Sequence, residues 1–203
     1  MDKNKKALLI GLILGDGHLN PHSGAALEIM HGSKQKFYLD YKNKLISKLL
    51  NCRPCNPYYR KTTDCYKISK GHRYFKILYK WIYKNKIKRF SKKLLSYLTP
   101  EAIALWWMDD GTHVTECKHT SGVISAHKFC LYTFTNKEDT QNIIDFFMDN
   151  YNIKFYPIKR FLKDGKEAFY LQCRTKEGRK LSNLLRPYII PGMEYKIMRK
   201  EEC

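Results

Sequence analysis

Leu9-Ile-Gly-Leu-Ile-Leu-Gly-Asp-Gly17 and Ile103-Ala-Leu-Trp-Trp-Met-Asp-Asp-Gly111 are the two stretches that organise this chain. Each is an apolar, helix-forming run that stops at an acidic residue followed by glycine, Asp16-Gly17 in one case and Asp110-Gly111 in the other. The acids sit in an unfavourable place. The C-terminal end of a helix carries partial negative charge on its unpaired carbonyls, so a carboxylate there is disfavoured by about 0.3–1 kcal/mol. Two matched placements imply carboxylates kept for their chemistry and brought together for it. Acids beside carbonyl oxygens form a donor set suited to a hard divalent cation.

Working outward, the chain reads as two passes through one programme. In the first, Ala7–Gly15 is apolar on nearly every side and predicts a buried helix. Gly11 and Gly15, one turn apart, would let a second helix approach closely. A Gly/Pro/Ser/His-rich loop, Gly17–Gly24, precedes a short strand at Ala25–His31. Lys34–Leu50 has helical spacing, with Phe37, Tyr41, Leu45, Ile46 and Leu49 apolar and lysines on the other face. Tyr58–Lys61 and Cys65–Lys70 are strand-like, and Arg73–Tyr83 returns to helix. The second pass starts at Thr99-Pro100, an N-cap followed by proline at the first helical position. A strand at Val123–Thr135, a helix at Lys137–Tyr151, strands at Ile153–Lys163 and Lys166–Arg174 around an Asp164-Gly165 turn, and a helix at Thr175–Leu185 follow. The expected division is 1–83 and 99–203, with 84–98 as a linker.

Composition narrows the partners. The 203 residues carry 38 Lys and Arg against 19 acids, a formal net charge of +19, which favours a polyanion. No apolar run is long enough to span a membrane, so a membrane is not the expected partner. Seven cysteines, an odd number, point to free thiols in a reducing compartment rather than a disulfide framework. Cys52-Arg-Pro-Cys55 with Cys65 and His72 has some look of a zinc site, but the second close pair is absent and no zinc is expected.

The two quoted motifs, at this spacing and followed by Arg186-Pro-Tyr-Ile-Ile-Pro-Gly-Met-Glu-Tyr-Lys196, resemble those of single-chain, two-motif LAGLIDADG homing endonucleases of the organelle-intron type. The resemblance spans nearly the whole chain. It implies an α/β (α+β) fold, a pseudo-symmetric saddle of two αββαββα halves with two concave antiparallel sheets joined through two central motif helices. It implies a monomer that makes a Mg²⁺-dependent double-strand break in a long DNA site, with two or more divalent ions shared with DNA phosphates. Asp16 and Asp110 take the essential acid positions, and Gly15 and Asp109 complete the expected metal-ligand set. Asp109 is also the rival to Asp110 for the essential position. A basic residue from each half accompanies the acids: Lys196 in the second, and Lys88, with Lys86 as the alternative, in the first. One departure stands out: Leu105 replaces the small residue found where Gly11 stands, which makes helix packing asymmetric.

DNA recognition is expected on the hairpins. Alternation over Phe169–Arg174 puts Tyr170, Gln172 and Arg174 on one face and Phe169, Leu171 and Cys173 on the other. Gln and Arg can read adenine and guanine edges bidentately. Arg60, Lys61, Lys67 and Lys70 in the first half, and Lys159, Arg160, Lys163 and Lys166 in the second, are further DNA-contacting candidates, most of them toward phosphate. Rival functions are an RNA-binding intron maturase, with host intron RNA as partner, and a non-catalytic DNA-binding protein. The Lys-, Tyr- and Ile-rich composition fits an AT-rich organelle genome (mitochondrion or chloroplast), with a prokaryotic cytoplasm or nucleoid as the alternative.

Overall fold

A computed structural model describes residues 2–21, 25–117 and 124–200. It is mixed α/β with two four-stranded antiparallel sheets, a short two-stranded one and, among the described residues, seven α-helices. The chain forms two compact units, Met1–Lys88 and Arg89–Cys203.

The first unit begins with α1, Lys3–Leu14, whose residues from Ala7 to Leu14 are all buried, as its unbroken apolar character requires. Strands β1 (His18–Asn20), β2 (Ala26–Gly32), β3 (Tyr58–Arg60) and β4 (Cys65–Gly71) form a sheet in the order β1-β2-β4-β3. Helix α2, Lys36–Leu50, packs on β2 and β4, and α3, Tyr74–Ile82, follows. Residues 84–98 carry ordered structure: β5 (Tyr83–Lys84) and β6 (Ile87–Lys88) form a hairpin closing the first unit, and α4 (Lys92–Leu95), capped by Ser91, opens the second. Helix α5, Pro100–Asp110, starts as expected, with Thr99 Oγ1 accepting from the Ala102 N–H at 3.3 Å. Strands β7 (Gly111–Cys117), β8 (Ile124–Thr135), β9 (Tyr156–Phe161) and β10 (Glu167–Arg174) order as β7-β8-β10-β9, with α6 (Lys137–Tyr151) and α7 (Thr175–Leu185) packed against them.

Each unit is therefore αββαββα, and four local expectations need correction. The periodicity supplied only one strand after each motif helix, whereas β1 and β7 are additional partners of β2 and β8. The Gly17–Gly24 segment, expected as loop, contains β1, a strand of three residues. On α2 the buried face is rotated: Phe37 is 43% exposed, while Tyr38, Leu39 and Lys42 are buried. The β9–β10 connection is also not a two-residue turn. Leu162 N–H pairs with Lys166 O at 2.8 Å, and Gly165 N–H reaches Leu162 O at 2.9 Å. The result is a longer loop in which Gly165, at φ +78°, supplies the left-handed residue. Such loops place glycine there because it carries no Cβ to clash. The expected start of β8, Val123, lies outside the described residues. No helix among the described residues is long and apolar enough to cross a membrane.

Register defines two faces on each sheet, because directly opposed residues point the same way. In the first, Leu19, Leu27, Ile29, His31 and Ile68 are buried on the helix-covered side. His18, Glu28, Met30, Lys67, Tyr58 and Arg60 share the open side. In the second, Phe129, Leu171 and Cys173 face the helices, while Val114, Lys128, Gln172, Arg174 and Tyr156 lie on the open side.

Candidate active-site termini and nucleic-acid faces

Each motif helix ends where the chain doubles back across its last turn. In the first unit Gly15 N–H donates to Gly11 O at 3.3 Å and Gly17 N–H to Leu12 O at 3.0 Å. A Cβ on Gly17 would fall 2.4 Å from Leu12 O. The residue after the acid must therefore be glycine for the chain to pass this close. In the second unit Gly111 N–H donates to Trp107 O, and a Cβ there would fall 2.3 Å from the Trp107 ring. The acid-glycine pair of the sequence is thus a packing requirement at glycine and a chemical choice at the acid.

Both termini are met by a lysine from far along the same unit. Lys88 Nζ, on β6, donates to Gly15 O at 2.6 Å. Lys196 Nζ, in a short 3₁₀ turn at Glu194–Lys196, donates to Gly111 O at 2.7 Å and Asp109 O at 3.4 Å. Its backbone is fixed by Trp107 Nε1, which donates to Lys196 O at 2.8 Å. A cation at these carbonyls offsets the unfavourable field that the carboxylates meet at a helix C-terminus. Lys86 sits in the β5–β6 turn at φ +64°, exposed, and Lys88 is the first-half candidate whose ammonium contacts the terminus.

The acids differ in their support. Asp110 Oδ2 accepts from Trp106 Nε1, one helical turn back, at 3.1 Å. Asp16, with a side chain 40% exposed, has Oδ2 3.7 Å from Nδ1 of the buried His31 on β2. His31 Nε2 in turn lies 2.9 Å from Lys42 Nζ. Neither His31 nor Lys42 was expected from the sequence. The pattern assigned lysines on α2 to the exposed face, and only the pairing of β2 brings His31 to the acid. Oxygen donors dominate both termini: the Asp16 carboxylate and Gly15 carbonyl in one unit, the Asp110 and Asp109 carboxylates and backbone carbonyls in the other. Such donors fit a hard cation of the Mg²⁺ class.

The open sheet faces hold most of the expected DNA-contacting residues. In the first unit Arg60 is exposed and Lys67 Nζ is 2.9 Å from Glu28 on the same face, beside an open concavity of about 310 Å³ that also involves Asp16 and His18. Lys61 begins the 3₁₀ turn after β3 and is exposed. Lys70 departs from expectation. It shares the side of Ile68 and donates to Arg53 O at 2.8 Å. The alternation of side chains along a strand sends it to the face opposite Lys67. In the second unit Tyr170 packs on Tyr132 (centroids 5.1 Å apart), Gln172 pairs across from Cys130, and Arg174 Nη1 lies 3.0 Å from Glu116. Arg160 is opposite Ala168 in the β9–β10 register, exposed. Lys159, one residue away and so on the other parity, is ion-paired with Glu167. Lys163 and Lys166 occupy the β9–β10 loop, exposed, with Lys166 bound to Asp164 at 2.8 Å. Lys128, missed in the sequence, joins Arg174 around Glu116, with Nζ 3.7 Å from its carboxylate. A period-two count through β8 would have found it.

Two of the thiols with zinc-like spacing are turned to backbone: Cys55 Sγ donates to Ser69 O at 3.2 Å and Cys65 Sγ to Thr63 O at 3.0 Å.

Comparison with known proteins adds three findings. The sequence profile of the LAGLIDADG DNA endonuclease family matches residues 6–181. The chain is similar to the protein RecA of Mycolicibacterium flavescens, 27% identical over 201 residues that cover 94% of this chain and 45% of that protein. It is also similar to the cytochrome b mRNA maturase bI2 of Saccharomyces cerevisiae, 30% identical over 223 residues, 97% of this chain and 48% of that protein. The chain thus spans about half the length of these curated relatives. Among solved structures, the fold is similar to that of the homing endonuclease I-WcaI bound to its DNA recognition sequence, with a TM-score of 0.73, 24% identity, and coverage of 97% of this chain and 87% of that one.

Proposed function

Because the chain belongs to the LAGLIDADG DNA endonuclease family, we propose that it cuts both strands of a long DNA site by phosphodiester hydrolysis, each unit serving one strand. The observation that carries this is the repeated terminus: an acid at the end of a motif helix, a glycine that lets the chain turn back, and a lysine Nζ on the neighbouring carbonyl, found in both units. A purely structural helix end has no use for the acid. Asp16 and Asp110, with Gly15 and Asp109 as further oxygen donors, are the residues to hold divalent ions of the Mg²⁺ class. When bound, such ions neutralise phosphate charge and make water a competent nucleophile.

The rest is done by the chain itself. Trp106 Nε1 fixes one carboxylate oxygen of Asp110 and so sets the orientation of the group. Lys88 and Lys196 place ammonium groups beside the acids, where negative charge grows as the phosphoester bond breaks. The open faces, with Arg60, Lys67, Lys128, Gln172 and Arg174, lie on the duplex, reading bases where side chains reach the groove and holding phosphates elsewhere. An organelle setting accompanies this reading, in keeping with the cytochrome b transcript in the name of the maturase relative.

Cleavage selection from a randomised DNA library with Mg²⁺, followed by assays of Asp16→Asn and Asp110→Asn on the recovered site, tests this. Each variant should lose double-strand cutting by at least a hundredfold while binding survives. Full cutting by either removes that acid from the mechanism. Similarity to a maturase favours a second activity on intron RNA. Splicing of a host-intron transcript that survives in the two Asn variants would separate that activity from cleavage.

A further inference from the structure

Behind Asp16 lies a polar row that the hydrolytic chemistry leaves unused. His31 is 6% exposed and Lys42 is 0% exposed, the latter on the buried face of α2 where an apolar residue would ordinarily pack. Lys42 Nζ contacts His31 Nε2 at 2.9 Å and lies 4.2 Å from the Tyr38 ring centroid. A fully buried lysine is costly unless its ammonium is matched by acceptors, so its presence implies a task.

The donor count fixes the geometry of that task. An ammonium has three donors and no acceptor, and a neutral imidazole has one of each. With Lys42 as the ammonium and His31 neutral, their contact uses the lone pair on Nε2, which leaves the single ring proton on Nδ1. Nδ1 is the atom 3.7 Å from Asp16 Oδ2. That separation is longer than a hydrogen bond, but active-site hydrogen bonds in ligand-free proteins commonly close only when substrate binds. The side chain of Asp16, 40% exposed, has room to move.

The second unit shows what the row replaces. Asp110 receives an N–H from Trp106, four residues earlier on its own helix. The corresponding residue four before Asp16 is Leu12, whose side chain has no donor. Unit one thus lacks the indole and has a histidine, delivered by β2, in reach of the equivalent acid.

Resting on the nuclease reading for what Asp16 does, we propose that His31, held by Lys42 with its proton on Nδ1, is the positioning residue for the Asp16 carboxylate. It fills in the first unit the place that Trp106 fills in the second. The two halves of the enzyme are therefore aimed by different devices, a ring N–H from the sheet in one and from the motif helix in the other.

Two measurements on the full chain decide it. Nitrogen-15 NMR of histidine-labelled protein, with His31 assigned through His31→Asn, should show protonated Nδ1 and bare Nε2. In Lys42→Met the signal should move to a mixture of tautomers. A proton on Nε2 in the unaltered protein overturns the proposal, whether or not the chain cuts DNA. On a cleavable site with each strand separately labelled, His31→Leu should slow the strand served by Asp16 about 10–100-fold, the usual effect of losing support to a ligand. The other strand should stay within about twofold, and nicked product should accumulate. His31→Asn, which keeps an N–H near the position of Nδ1, should recover most of the loss. Equal slowing of both strands, unchanged cutting in His31→Leu, or no recovery by asparagine would each overturn the assignment.

Discussion

An acid at the C-terminus of a helix is tolerated here because a lysine answers it. Lys88 and Lys196 each donate to a carbonyl within one residue of the acid. A site of like-charge crowding becomes one of balanced charge. Burial acts on other titratable residues in the opposite sense. The Cys173 thiol is 0% exposed and pushed well above the ordinary range by desolvation, and Cys130 on the neighbouring strand is raised by the same cause. The thiolate is the reactive form, so both should be protected. Mass-mapped alkylation of the native protein at pH 8 should label Cys52, Cys55 and Cys65 at least tenfold faster than Cys130 and Cys173. Comparable rates for all five would mean that the second sheet does not bury them.

Among the elements, α6 and the strand before it are joined by a clamp centred on Asp139, which is 1% exposed. Arg89 donates through Nε to Asp139 Oδ2 at 2.6 Å and through Nη2 to Oδ1 at 3.2 Å, while Thr135 Oγ1 and Asn136 Nδ2 complete its partners. Removing one partner of a buried pair leaves an uncompensated charge, at a cost of about 3–5 kcal/mol. Arg89→Met should lower unfolding stability by roughly 3 kcal/mol in urea titration. A loss below about 1 kcal/mol would mean the pair is solvated like an ordinary surface bridge. At this scale the sequence is readable where one periodicity governs. The all-round apolar character of α1, the Thr99-Pro100 start of α5, and the bounds of α6 and α7 all follow from it. It is silent where tertiary pairing decides. The three residues of β1 are too few to show alternation, and β7, whose covered side carries His113 and Thr115 where apolar residues would be expected, is a strand because β8 lies beside it. Lys42 is the clearest case: no helical pattern marks a lysine for burial, since its partner is an imidazole on another element. Both acids were legible because they break a local rule, and their supporting lysines and His31 were harder to place, because they arrive from elsewhere in the chain.

For the molecule as a whole, charge outweighs every other property. A net +19 on 203 residues exceeds what solubility needs. It suits a counterion-releasing contact with a duplex. Neutralising about ten phosphates gives a log–log dependence of affinity on salt with a slope near −9. Fluorescence anisotropy with the selected site between about 50 and 300 mM KCl should return a slope between about −7 and −10. A value near −2 would mean that only a corner of the basic surface touches DNA. Several of the basic side chains are already paired on the protein, Lys67 with Glu28 and Arg174 with Glu116, so a duplex bound as proposed must compete with internal acids for them. Such competition disfavours loose, sequence-indifferent attachment more than a fully fitted one.

The lysine that answers Asp16 lies 73 residues beyond the carbonyl it caps. While the polypeptide is still emerging from the ribosome, the first motif segment is therefore present for a time with its carboxylate and without its counterweight. The terminus acquires its cation only after β2, α2 and the β3–β4 hairpin have been delivered and the β5–β6 hairpin has folded back. Order of synthesis thus leaves that carboxylate unanswered until nearly the whole first unit has been made.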